Sequence, residues 1–163
     1  MAISVLGEYR STILNNFNDP GYLDLGTGIT WTPIDGENLI IVVNPLNYNF
    51  VFANDDVVYE SSAGAKILVD YTKTIGNLNI KSNLSAFQSY KSSNLSNWTW
   101  INSLGYTVWK GIGIGFEFGL RGNQQEALAN ALDNVATGDP LPTFDSISKD
   151  IQSYWLIGVN YKF

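Results

Sequence analysis

Ile151-Gln-Ser-Tyr-Trp-Leu-Ile-Gly-Val-Asn-Tyr-Lys-Phe163 alternates in size and polarity up to an aromatic carboxy-terminal residue. Ile151, Trp155, Ile157, Val159, Tyr161 and Phe163 share one parity, and Gln152, Tyr154, Gly158, Asn160 and Lys162 share the other. A strand turns successive side chains to opposite faces, so the stretch reads as one greasy face and one mostly polar face. The pattern recurs upstream at lengths of roughly 10 residues, the length at which a tilted strand crosses a bilayer. The expected fold is therefore an all-β, antiparallel up-and-down transmembrane β-barrel of about eight strands.

Seven further strands follow from the same parity rule. They span 3–12, 22–32, 38–52, 62–72, 78–90, 98–110 and 112–122, with the last at 151–163. The fourth is very regular: Ala63, Ala65, Ile67, Val69 and Tyr71 alternate with Gly64, Lys66, Leu68, Asp70 and Thr72. The seventh sets Ile112, Ile114, Phe116, Phe118 and Leu120 against Gly113, Gly115, Glu117, Gly119 and Arg121. In the third strand Pro45 removes a ladder donor, which predicts a bulge or break near Asn44 and Pro45. Short turns are expected near Gly36, Gly76 and Gly111, and longer links near Asp19, Asp55, Asn94 and across 123–150. Outer-membrane barrels divide their connections in that way, with short periplasmic turns and long external loops. Within 123–150 the run Gln124-Gln-Glu-Ala-Leu-Ala-Asn-Ala-Leu132 has helical propensity, so a short helix is expected in the external loop.

Composition limits the alternatives. The 163 residues make one domain, and no run of about 18 apolar residues exists to form a spanning helix. Mean hydropathy is near zero. Nine Tyr, eight Phe and five Trp make the chain aromatic-rich, and glycine lies inside the alternating runs. A net charge of −6 argues against a nucleic-acid partner, which calls for a basic stripe. The absence of cysteine removes thiolate chemistry, and the absence of histidine removes the usual triad base and the commonest metal ligand. The amino terminus lacks a basic segment followed by an apolar one, so an exported chain is expected to be a mature form or the later part of a longer protein.

The inward charges are Glu8, Arg10, Asp24, Lys66, Asp70, Lys81, Glu117, Arg121 and Lys162. Eight strands leave a lumen just filled by side chains, so these mixed signs are expected to pair as a plug. The competing reading, a charged constriction that selects solutes, needs more strands. An acid–base site from Glu117, Asp70 or Asp24 is chemically conceivable, but mixed lumen charges look the same in sequence. Serines lack a histidine or a Gly-x-Ser-x-Gly elbow, and Gly111-Ile-Gly-Ile-Gly115 lacks the Lys-Ser/Thr of a phosphate loop. Calcium at Asp19, Asp55 and Asp56 weighs less than plain solvation. Catalytic residues, metal and cofactor are accordingly expected to be none. Outward Tyr9, Trp31, Tyr48, Trp98, Trp100, Tyr161 and Phe163 are expected to form an interfacial aromatic girdle.

Phe17-Asn-Asp-Pro-Gly-Tyr-Leu-Asp-Leu-Gly-Thr-Gly28, Asn44-Pro-Leu46, Gly64-Ala-Lys66, Phe87-Gln-Ser-Tyr90 and the ending Gln152–Phe163 resemble a family of Bacteroidota outer-membrane β-barrels of unassigned function. Its members look longer, so the resemblance implies that this chain matches their carboxy-terminal portion. It implies outer-membrane location and barrel architecture, and supplies no catalytic residue. The expected partners are outer-membrane lipid, the barrel-assembly machinery through the terminal strand and Phe163, and an external ligand at 123–150. The expected role is structural, adhesive or passive transport. The alternatives are a lipid-modifying barrel enzyme and a soluble, lipocalin-like lipid-binding barrel.

Overall fold

The computed structural model describes residues 1–11, 19–33, 38–54, 58–109, 111–147 and 151–161. Eight strands follow one another: β1 (Ala2–Ser11), β2 (Gly21–Trp31), β3 (Leu39–Phe52), β4 (Ser62–Ile75), β5 (Leu78–Ser89), β6 (Asn97–Trp109), β7 (Ile112–Asn123) and β8 (Ile151–Tyr161). Among the described residues one helix, α1 (Gln124–Asp133), continues directly from β7, and one 3-10 turn, Ser93–Leu95, precedes β6. Each strand pairs antiparallel with its neighbours in sequence, giving one meander in the order β1 to β8. The up-and-down topology follows from the sequence pattern. A closed barrel does not: β1 and β8 are the two edges of the sheet and are not paired with each other.

Two of the short connections are as tight as expected. Gly76 (φ 57°) and Gly111 (φ 81°) occupy the left-handed region that a two-residue hairpin demands. The link 32–38 is longer than the tight turn expected there, seven positions, and Gly36 lies outside the described residues. At the other end of the sheet β1–β2, β3–β4, β5–β6 and β7–β8 are joined by the links that include 19–20, 53–61, 90–96 and 124–150.

The irregularity at Pro45 is a bulge rather than a break. The β3–β4 register shifts between Asn44 and Asn47, and the β2–β3 register shifts between Thr27 and Ile29. Both neighbours absorb the same extra residues, so β3 continues as one strand. Gly28 sits at this point because nothing larger fits. A Cβ there would run into the Val43 carbonyl oxygen and the Asn44 side chain. Gly28→Ala is expected to cost about 1–3 kcal/mol through overpacking, read as a lowered urea midpoint. An unchanged midpoint would show that the bulge has slack.

Burial is inverted relative to a water-soluble sheet. Asp24, Asn44, Asn47, Asn49, Ser62 and Lys66 are buried on one face. On the opposite face Ile3, Val5, Leu25, Ile29, Leu46, Leu104, Trp155 and Val159 are exposed, from 44% at Leu104 to 91% at Ile3. Pairing keeps the parity across the whole sheet: Ile3, Ile29, Val43, Ile67, Ala86, Trp98, Gly122 and Ile151 form one cross-strand row on the apolar face. The sheet curls toward its polar face, since Lys66 on β4 reaches Glu8 on β1 across two intervening strands. Among the described residues no helix is long and apolar enough to cross a membrane, which says nothing of strands.

Candidate functional site: a polar interior under a helical cap

Period-two alternation puts Glu8 and Arg10 of β1, Asp24 of β2 and Lys66 of β4 on the inner face, and curvature brings them together. Lys66 Nζ lies 2.6 Å from Asp24 Oδ2 and 2.6 Å from Glu8 Oε2. Arg10 lies 3.3 Å from Asp24 through NH2 and 3.2 Å from Glu8 through Nε. Asp24 also accepts hydrogen bonds from Asn47 Nδ2 at 2.9 Å and Asn49 Nδ2 at 3.0 Å. Two carboxylates face two cations, so the cluster is formally neutral. A buried carboxylate with four donors is well compensated, whereas either charge alone would be costly. The Lys66 and Asp24 side chains are both fully buried.

The nine inward charges do not form one network. Glu8, Arg10, Asp24 and Lys66 do. Arg121 pairs instead with Glu126 of α1. Glu117 accepts from Ser103 Oγ at 3.0 Å and from Tyr154 OH at 3.1 Å. Asp70 accepts from Asn83, and Lys81 is exposed and forms no ion pair among the described residues. Lys162 lies outside the described residues. Asp70 and Lys81 sit toward the tight-turn end of the interior, whose polar face is open, while the four-residue cluster fills the other half.

Glu126 was not among the residues singled out from sequence, because the helix was expected out in an external loop. The structure places α1 against the interior end of the strands. Asn123 caps it, its Oδ1 accepting from Gln125 N at 3.1 Å and from Glu126 N at 3.4 Å. Asn123-x-x-Glu126 is the spacing of a capping box, and Glu126 accepts back from Asn123 Nδ2 at 3.0 Å. That spacing was the available signal. Tyr22 OH donates to Glu126 Oε1 at 2.7 Å and accepts from Asn123 Nδ2 at 3.2 Å, tying β2 to the helix start. Gln125 is buried and clasps the Glu60 backbone, donating to its carbonyl at 3.1 Å and accepting from its N–H at 3.4 Å. Leu128 is buried one turn on. The helix thus closes one end of the polar interior.

A cavity of about 230 Å³ remains under the helix, lined by Arg10, Ser11, Pro20, Tyr22, Thr99, Arg121 and Glu126. Its two arginines are each engaged by carboxylates. Tyr22→Phe removes the side-chain hydroxyl that joins β2 to α1. It is expected to weaken the cap by about 1 kcal/mol and to raise proteinase cleavage within 134–147 about fivefold. Equal cleavage rates would mean that Gln125 and Leu128 hold the helix unaided.

Of the expected girdle, Tyr9, Trp31, Tyr48 and Trp100 are exposed and Trp98 is half-buried, all on the apolar face. Trp31 lies at the tight-turn end of β2, where Tyr106, Val108 and Trp109 of β6 are also exposed. Trp100 lies further in, donating from its indole N–H to Ser82 Oγ at 3.0 Å. Tyr161 belongs to β8, and Phe163 lies outside the described residues. Asp19 binds the Asn54 backbone N–H at 2.9 Å and its side-chain amide at 2.5 Å, and Asp55 and Asp56 lie outside the described residues. Among the described residues no group of carboxylates gathers as a metal site. No family model matches the chain, and no curated protein or solved structure matches it either.

Proposed function

We propose that the chain is an integral outer-membrane β-barrel protein of the Bacteroidota type, with its lumen plugged and a structural, adhesive or passive-transport role. One observation carries the reading: a continuous apolar face over eight strands is exposed while Asp24, Lys66, Asn44, Asn47 and Asn49 are buried on the other. In water such a surface would be far larger than the few hundred Å² of apolar patch that monomers tolerate. In a bilayer it is the required surface. A soluble lipid-binding barrel needs the reverse arrangement, apolar inside and polar outside. The plug is the neutral cluster of Glu8, Arg10, Asp24 and Lys66 beneath α1, and the segment 134–147 beyond that helix is the surface offered to an external ligand. Outer-membrane lipid is then the partner of the outward face, and the assembly machinery is met through β8.

The test is reconstitution of the full chain with phosphatidylcholine vesicles, followed by flotation and planar-bilayer recording. Co-flotation that survives alkaline carbonate, without discrete conductance steps, is the expected result. A folded, monodisperse chain in detergent-free buffer would overturn the membrane reading. Stable large conductance steps would overturn the plug.

A further inference from the structure

The tight-turn half of the inner face holds a cavity of about 410 Å³ that the polar cluster and α1 leave open. Two neighbouring cross-strand rows of β5 to β8 build it. Asn79, Gly105, Gly115 and Gly158 form the row nearer the turns, and Lys81, Ser103, Glu117 and Leu156 form the next. We infer that this cavity binds a zwitterionic dipeptide, its carboxylate on Lys81, its ammonium on Glu117 and its amino-terminal side chain against Leu156. The inference concerns the inner face alone and holds whatever covers the outer one.

Two opposite charges stand in one row without neutralising each other. Lys81 is exposed and forms no ion pair among the described residues. Asp70, diagonal to it on β4, accepts from Asn83 instead. Glu117 is held by Ser103 Oγ at 3.0 Å on one carboxylate oxygen and by Tyr154 OH at 3.1 Å on the other. Each oxygen keeps a lone pair for a further donor. A ligand with one charge would leave Lys81 or Glu117 unmatched, and a zwitterion matches both.

Spacing sets the length of the ligand. Lys81 and Glu117 are two strands apart with Ser103 between them, so their Cα atoms lie about 10 Å apart at roughly 4.8 Å per strand. Side chains on a concave face lean together, so their charged ends are nearer than that. An extended dipeptide spans about 7 Å, whereas a single amino acid covers about half of it. The order along the row then orients the peptide. Leu156 follows Glu117 on the side away from Lys81, turned inward and 58% exposed. The ammonium of a peptide sits beside its first side chain, so an apolar first residue comes to lie on Leu156.

The glycines explain why the space exists. At Gly28, Gly64 and Gly119 a Cβ would run into a neighbour, so packing demands those glycines. In the cavity it would not. A Cβ on Gly158 meets nothing within 4 Å, and on Gly105 and Gly115 its nearest neighbours lie 3.9 Å away. Three adjacent strands thus present bare backbone as a floor, against which an extended chain can lie flat. The volume falls within the range of small-molecule sites, and a narrow barrel interior has room for one small ligand. With the other half filled by the charged cluster, the cavity is a cup with one mouth.

The probe is leucylglycine, zwitterionic at pH 7, titrated into the folded full chain in detergent micelles. The backbone amide signals of Gly105, Gly115 and Gly158 report occupancy by NMR, with Gly28 and Gly64 as internal controls. Saturable shifts confined to the first three are expected. Lys81→Met is expected to weaken binding about fivefold, the effect of losing one exposed ion pair. Gly158→Leu fills the floor from a position with free space around it, and is expected to weaken binding about tenfold with the far-UV circular dichroism unchanged. The same peptide with its amino terminus acetylated and its carboxylate amidated is expected to bind about tenfold more weakly than the free one. No saturable shift in the folded chain, or undiminished binding to Gly158→Leu, overturns the site. Equal binding of the capped peptide overturns the zwitterion, and glycylleucine binding as tightly as leucylglycine overturns the orientation.

Discussion

Lys66→Met is expected to lower unfolding stability by about 3–5 kcal/mol, the cost of stranding a buried charge by removing its partner. The Lys66 ammonium is the shared donor to Asp24 and Glu8, each at 2.6 Å, and both it and Asp24 are sealed from solvent. Methionine fills similar volume, so the loss reports charge rather than packing. Asp24 keeps Asn47, Asn49 and the longer contact from Arg10, which limits the damage without cancelling it. Adding Asp24→Asn to Lys66→Met removes the stranded carboxylate and is expected to recover part of the loss, so the two substitutions are non-additive. Lys81→Met, at an exposed lysine on the same inner face, is expected to fall within about 0.5 kcal/mol of the parent. Urea unfolding in detergent micelles or vesicles measures all four chains. A Lys66→Met protein as stable as Lys81→Met would show that the interior is wet enough to screen the cluster.

Leu104→Arg carries the second large effect. Leu104 lies mid-strand in β6 on the apolar face, 44% exposed and flanked by Ile80 and Phe116. In a bilayer an arginine near the midplane costs about 2–4 kcal/mol, falling to about 0–1 kcal/mol near the interface. Val108→Arg, near the end of the same strand and on the same face, supplies the shallow comparison. The expected outcome is a steep difference between the two when the chain unfolds from vesicles. Were the face bathed in water, both exposed substitutions would fall within about 0.5 kcal/mol of the parent. Equal, small effects would therefore remove the membrane reading without touching the fold.

The strands were legible because each carries its own label. Gly64, Lys66 and Asp70 could be assigned to one face of β4 from parity alone, and pairing with β3 and β5 keeps them there. Pro45 announced an irregularity for an equally local reason, a missing donor. The interior was legible only as a set of residues. That Lys66 meets Glu8 and not Asp70 depends on how far three strands curl. That Arg121 meets Glu126 depends on a helix folding back over the strand ends. Asn47 and Asn49 were passed over because an amide is unremarkable in sequence until a carboxylate is found opposite. The capping spacing Asn123-x-x-Glu126 was the one local mark that placed Glu126 beside β7, and it was readable.

Sequence by itself determined the strand count, the order of the strands and the face each side chain takes in the regular strands, away from the bulge at Pro45. Backbone geometry fixes side-chain direction residue by residue, so two neighbours suffice to set it. Tertiary structure alone decided which inward groups touch, that α1 caps the interior, and that β1 and β8 stand as free edges. Those outcomes sum small twists and register steps over many strands, and a sum of that kind is written in no single stretch of residues.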